Sequence, residues 1–99
     1  IDQYQQAIAL APVFAPAYNQ LGKSFALIGN LDKAEGCFRR VIALAPQNDQ
    51  GYLNLGMLFA VKQDRPRTIY YLEKALQLNP ENDKAKEQLK KIQEKGSYD

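Results

Sequence analysis

The sequence predicts an all-α array in which one helix–turn–helix unit recurs, and three observations carry that expectation. Pro12, Pro46 and Pro80 stand 34 residues apart. The residues leading to them overlay: Ala9-Leu10-Ala11, Ala43-Leu44-Ala45 and Gln77-Leu78-Asn79. The other half of the unit occurs twice at one spacing, as Tyr18, Leu21, Gly22, Phe25 and as Tyr52, Leu55, Gly56, Phe59. A fixed period of this kind marks a stack of supersecondary units, each burying its apolar face against its neighbours.

The elements follow in order. Ile1 to Leu10 reads as the second helix of an incomplete repeat (residues 1–14), with Tyr4, Ala7 and Ile8 as its apolar stripe and Pro12 after the stop. A helix from Pro16 to Ile28 follows, with Tyr18, Leu21, Gly22 and Phe25 on one face. Gly22 costs helix propensity, so its place there implies the close approach of another helix. Gly29-Asn30 ends that helix, since both tolerate the left-handed conformation that closes helices. Asp32 is the expected cap of the next helix, with Glu35 completing a capping-box-like pair. That third helix, Asp32 to Leu44, turns Ala34, Phe38, Val41 and Ile42 inward. A fourth runs from Gln50 to Lys62, and a fifth from near Pro66 to Leu78, with Asp64 or Arg65 just before it. Between Asp83 and Lys95 only Ala85, Leu89 and Ile92 are apolar, which fits a terminal capping helix with one solvated face. Residues 96–99 read as a frayed end.

These residues resemble the tetratricopeptide repeat (TPR). The large–x–x–Leu–Gly–x–x–aromatic run falls on Tyr18 to Phe25 and on Tyr52 to Phe59. The small slot of the second helix falls on Ala34 and Thr68, the aromatic slot on Phe38 and Leu72, the next small slot on Val41 and Ala75, and the closing prolines on Pro46 and Pro80. Val41 is larger than the usual alanine, Thr68 is polar, and Gln63 stands where Gly29 ends the first helix one unit earlier. The resemblance covers nearly the whole chain and implies an α-solenoid of stacked antiparallel helix pairs, wound into a right-handed superhelix. Repeats are expected at 15–48 and 49–82, closed by a helix over 83–95. The start in mid-repeat implies a parent protein that continues N-terminally, or another chain covering Ile1, Tyr4 and Ile8.

Composition narrows the function. At 45% hydrophobic residues the chain can fill a repeat core, and a net charge of +2 is too small to argue for nucleic acid as a main partner. The absence of histidine removes the commonest general base and metal ligand. Cys37, the one cysteine, has no histidine to activate it and reads as a semi-buried side chain. The glycines are scattered rather than clustered into a phosphate loop, and acidic pairs such as Glu81 with Asp83 sit among lysines. Neither catalysis nor a cofactor is indicated, no apolar run is long enough to span a membrane, and the compartment stays open.

The resemblance implies a protein–protein interaction module whose first helices line a concave groove for a partner's peptide or helix. The groove residues would be Asn19, Gln20, Lys23 and Leu27, then Gln50, Leu53, Asn54, Met57 and Val61, then Lys84, Gln88 and Lys91. Side-chain amides suit a peptide backbone, Met57 adapts to apolar side chains, and the lysines favour an acidic segment or a free C-terminal carboxylate. Some relatives clamp that carboxylate with Lys and Asn, then Asn, then Lys and Arg. Here Asn19 and Lys23 hold the first two slots with types exchanged, Asn54 and Lys84 match, and Gln88 replaces the arginine fork. The alternatives are a self-association module pairing through its N-terminal edge, or a regulatory domain of a larger enzyme. Tyr71 reads as a packing residue and Tyr70 as half-buried, with an exposed contact as its alternative. Arg39-Arg40 and Arg65 with Arg67 read as a solvated convex face.

Overall fold

The computed structural model describes residues 15–95. Among them are five α-helices and no strands: α1 (Ala15–Leu27), α2 (Leu31–Leu44), α3 (Asp49–Val61), α4 (Arg65–Leu78) and α5 (Asp83–Lys95). The expected helix over Ile1–Leu10, with its open edge, and the tail at 96–99 lie outside the described residues. The chain divides into two compact units between Gln47 and Asn48.

In the first unit α1 packs on α2. Ala17, Leu21, Gly22 and Phe25 form the buried stripe of α1, facing Ala34, Phe38 and Val41 of α2. Tyr18, expected on that stripe, is only half-buried, and the Arg40 guanidinium lies 5.8 Å from its ring centroid. Gly22 permits the contact between the helices: a Cβ added there would lie 2.5 Å from Phe38 Cε1. Val41 is buried despite its extra bulk.

The turn between α1 and α2 is a Schellman closure. The Asn30 N–H donates to the Phe25 carbonyl at 2.9 Å and the Gly29 N–H to that of Ala26 at 3.1 Å, with Gly29 at φ +84°. The cap of α2 differs from the expectation. Asn30 accepts from the Lys33 N–H at 3.3 Å, because it follows the left-handed glycine directly and already points into the first turn. Asp32 therefore lies inside the helix, and Glu35 pairs instead with Arg39, Nε to Oε2 2.9 Å.

The second unit repeats this closure bond for bond. The Asp64 N–H donates to Phe59 at 2.9 Å and the Gln63 N–H to Ala60 at 3.1 Å, and Asp64 Oδ1 then caps α4 by accepting from Arg67 at 3.2 Å. Gln63 occupies the glycine slot at φ +62°, a conformation that costs an L-residue about 1–2 kcal/mol. Glycine would relieve that cost but gain freedom in the unfolded chain. Gln63→Gly is expected to stabilise the protein by about 0.5–1 kcal/mol, read from urea unfolding; an unchanged midpoint would mean Gln63 bears no strain.

Within this unit α3 packs on α4, and α5 lies against both. Eight of the 13 residues of α3 are buried, including Leu55, Leu58 and Phe59, as befits a helix covered on more than one side. Thr68, the polar residue in a small slot, is buried with its hydroxyl donating to the Asp64 carbonyl at 2.8 Å, so its burial leaves no unmet group. Gly56 repeats the role of Gly22: an added Cβ would stand 2.9 Å from Leu72 Cδ2. On α5, Ala85 is fully buried and Leu89 and Ile92 half-buried, while Lys86, Glu87, Lys90 and Lys91 face solvent.

Candidate partner-binding surface

The candidate residues fall at three- and four-residue spacing along first helices, which places each set on one stripe. On α1, Gln20 and Lys23 are exposed, Asn19 is half-buried, and Leu27 is 88% exposed. On α3, Gln50 is exposed, Met57 half-buried, and Val61 67% exposed. On α5, Lys84 and Lys91 are exposed and Gln88 half-buried.

Two members are not accessible. Leu53, expected to anchor a partner, is 3% exposed and belongs to the core, because α3 is covered around most of its circumference. Asn54 is also buried. Among the described residues no buried side-chain nitrogen or oxygen lacks a hydrogen-bond partner, so Asn54 is a satisfied core amide. Lys91 Nζ lies 3.3 Å from Glu87 Oε1, an exposed pair that holds the ammonium only weakly. The accessible candidates on these stripes are amides, lysines and the apolar Leu27, Met57 and Val61, and none of the candidates is acidic.

Sequence reasoning missed Ile28, which is 65% exposed beside Leu27. The signal was its position in the closure turn, after the last buried residue of α1. Tyr70 is corrected as well: at 60% exposure it faces solvent, whereas Tyr71 is half-buried. The reason is angular, since Tyr70 points away from the stripe set by Thr68, Leu72 and Ala75.

Chemistry of another kind has little to work with. Burial at Cys37 raises its thiol pKa above the ordinary value, the wrong direction for a nucleophilic thiolate. Among the described residues no group of three His, Cys, Asp or Glu side chains could hold a metal ion. No described helix is long and apolar enough to cross a membrane.

Helix pairs in a 34-residue register, each opened by a glycine contact and closed by the same turn, define a helical-repeat protein. The family model described as tetratricopeptide repeat matches residues 15–48, and the chain belongs with the TPR proteins. The chain is similar in structure to the first TPR of Spaghetti (RPAP3) bound to the HSP90 peptide SRMEEVD, with TM-score 0.87, 20% identity, and coverage of 94% of this chain and 74% of that one. It is similar to YrrB, described as a TPR protein with an unusual peptide-binding site, with TM-score 0.85, 29% identity, and coverage of 88% and 45%. MamA matches with TM-score 0.77 and 32% identity, covering 84% of this chain and 48% of its own. The chain therefore spans about half the length of the YrrB and MamA structures. No curated protein sequence matches it significantly. The fold is that of a protein–protein interaction module, and its family consists in general of non-enzymatic scaffolds.

Proposed function

We propose that this chain holds an acidic peptide segment of a partner protein against a first-helix face, the contacts being Asn19, Gln20, Lys23 and Leu27 on α1 in the first unit, and Gln50, Met57 and Val61 on α3 with Lys84, Gln88 and Lys91 on α5 in the second. The observation that carries the reading is the exposure of Leu27 and Val61. They occupy one repeat slot, 34 residues apart, and both are large apolar side chains left in water. A side chain that serves only the fold has no reason to be apolar there twice, whereas a partner's aliphatic groups would cover it. Lys23 lies one turn before Leu27, and Lys84 and Lys91 add positive charge on α5. In this reading residues 15–48 and 49–82 are the repeats and 83–95 closes them. Lys90 stands in the slot of Gly22 and Gly56, where a side chain would bar a further helix.

The peptide SRMEEVD, bound by the Spaghetti TPR, is a suitable first probe, presented with a free and with an amidated C-terminus. Binding that needs the free end would make Lys23 in the first unit, or Lys84 in the second, a carboxylate contact even with Gln88 in place of arginine. Binding indifferent to the end would assign recognition to an internal segment resting on Met57 and Val61. In either case Lys23→Glu with Lys84→Glu is expected to weaken binding about tenfold or more at unchanged helicity. Unchanged affinity in that variant would overturn the reading.

A further inference from the structure

The second helix of the second unit carries a different surface. Phe59 is buried, Tyr71 stacks on it at 5.6 Å and 9°, and Tyr70 meets Tyr71 edge-on at 5.1 Å and 87°. The Arg67 guanidinium and the Lys62 ammonium lie 5.5 and 5.8 Å from the Phe59 centroid. A chain of three rings thus runs from the core to the solvent and ends in Tyr70, 60% exposed. Burial does not explain Tyr70, because most of the ring stays in water. Its repeat counterpart, Gly36, is exposed, and an added Cβ there would meet nothing within 4 Å. The fold therefore has no need of a side chain in this slot.

We propose that Tyr70 is the anchor of a second docking surface, on α4, for an acidic partner segment that rests a proline or leucine on the ring. The charges around it favour that sign. Arg67 and Lys74 stand one turn either side of Tyr70, and α4 as a whole carries Arg65, Arg67 and Lys74 against Glu73. Arg67 also lies 3.4 Å from Asp64 Oδ2, an exposed pair that a stronger acidic ligand can displace. The ring is preorganised by its edge contact with Tyr71, so little rotamer freedom remains to be lost on binding. Tyrosine and arginine side by side are also the residue types in which interface energy concentrates.

The test is an NMR titration of the protein, with its tyrosine rings labelled, against a hexapeptide of four glutamates around a central Pro-Leu pair, blocked at both ends. The Tyr70 ring signals are expected to shift, and Tyr70→Ala to weaken binding about tenfold at an unchanged far-UV spectrum. Arg67→Glu is expected to weaken it as well. In the Lys23→Glu, Lys84→Glu variant the Tyr70 ring signals should still shift with this peptide, which separates the surface from the first-helix faces that the variant disables. Signals that stay still at Tyr70, affinity that survives Tyr70→Ala, or equal binding of the same peptide with lysines for glutamates would each overturn the proposal.

Discussion

Phe38→Ala is expected to cost the protein about 3–5 kcal/mol, concentrated in the α1–α2 unit. Phe38 is buried at 3% exposure, and the surface it covers on α1 is a glycine, which has no side chain to swing into the vacated space. The cavity should therefore stay open, the condition under which truncation is most expensive. A second substitution makes the argument sharper. Gly22→Ala in the parent places its methyl at 2.5, 2.8 and 3.0 Å from three atoms of the Phe38 ring, so overpacking of about 1–3 kcal/mol outweighs the roughly 1 kcal/mol gained in helix propensity. In the Phe38→Ala background the same methyl has room, and Gly22→Ala should instead recover about 1 kcal/mol. Urea unfolding of the four proteins, followed by far-UV circular dichroism, reads this reversal of sign. If Gly22→Ala destabilises both backgrounds alike, the glycine is needed for something other than the approach of Phe38.

That pairing was legible in the sequence because it is written in the repeat. Gly22 and Phe38 recur as Gly56 and Leu72, and only a close helix approach explains a glycine held within each buried stripe. Helix order was readable from the spaced prolines and the twice-repeated Tyr-Leu-Gly-Phe run, whereas the closure at Gln63 was not, because glutamine does not mark the left-handed turn that it makes there. What escaped was set by geometry that periodicity does not carry. The choice of Asn30 over Asp32 as cap depends on the left-handed residue before it, and a sequence shows two equally suitable cap residues. Leu53 looked like a groove residue because the repeat position carried over from the TPR family falls on it. α3 is instead buried over eight of its residues, and the slot is lost to the core. The exposure of Tyr70 could have been inferred from Gly36, whose position in the earlier unit shows a slot with nothing to pack against.

The second large effect is expected at Asp49, and it has no counterpart in the first unit. One carboxylate oxygen, Asp49 Oδ2, accepts from Asn79 Nδ2 at 3.1 Å and from Asn82 Nδ2 at 2.7 Å. Both asparagines spend their own oxygens on the turn between α4 and α5: Asn79 Oδ1 accepts the Glu81 N–H at 3.1 Å, and Asn82 Oδ1 caps α5 by accepting the Ala85 N–H at 3.0 Å. The start of α3, the end of α4 and the start of α5 are thereby tied at one point. The matching slots of the first unit are Ala15, Ala45 and Asn48, so no carboxylate or amide pair can repeat the tie there. Asp49→Ala would leave the Asn82 amide buried without its acceptor, at about 1–3 kcal/mol, and remove a favourable charge from the first turn of α3, at about 0.3–1 kcal/mol. A total loss of about 2–3 kcal/mol is expected. Asp49→Asn keeps one acceptor oxygen, and about half that loss is expected. Amide hydrogen exchange gives the discriminating readout: protection should fall most in α5 and least in α1 and α2. Uniform loss along the chain would mean that Asp49 supports the fold generally rather than holding α5. Lys84, Gln88 and Lys91 ride on that helix, so the same substitution should weaken the proposed peptide binding although Asp49 is not among the proposed contacts.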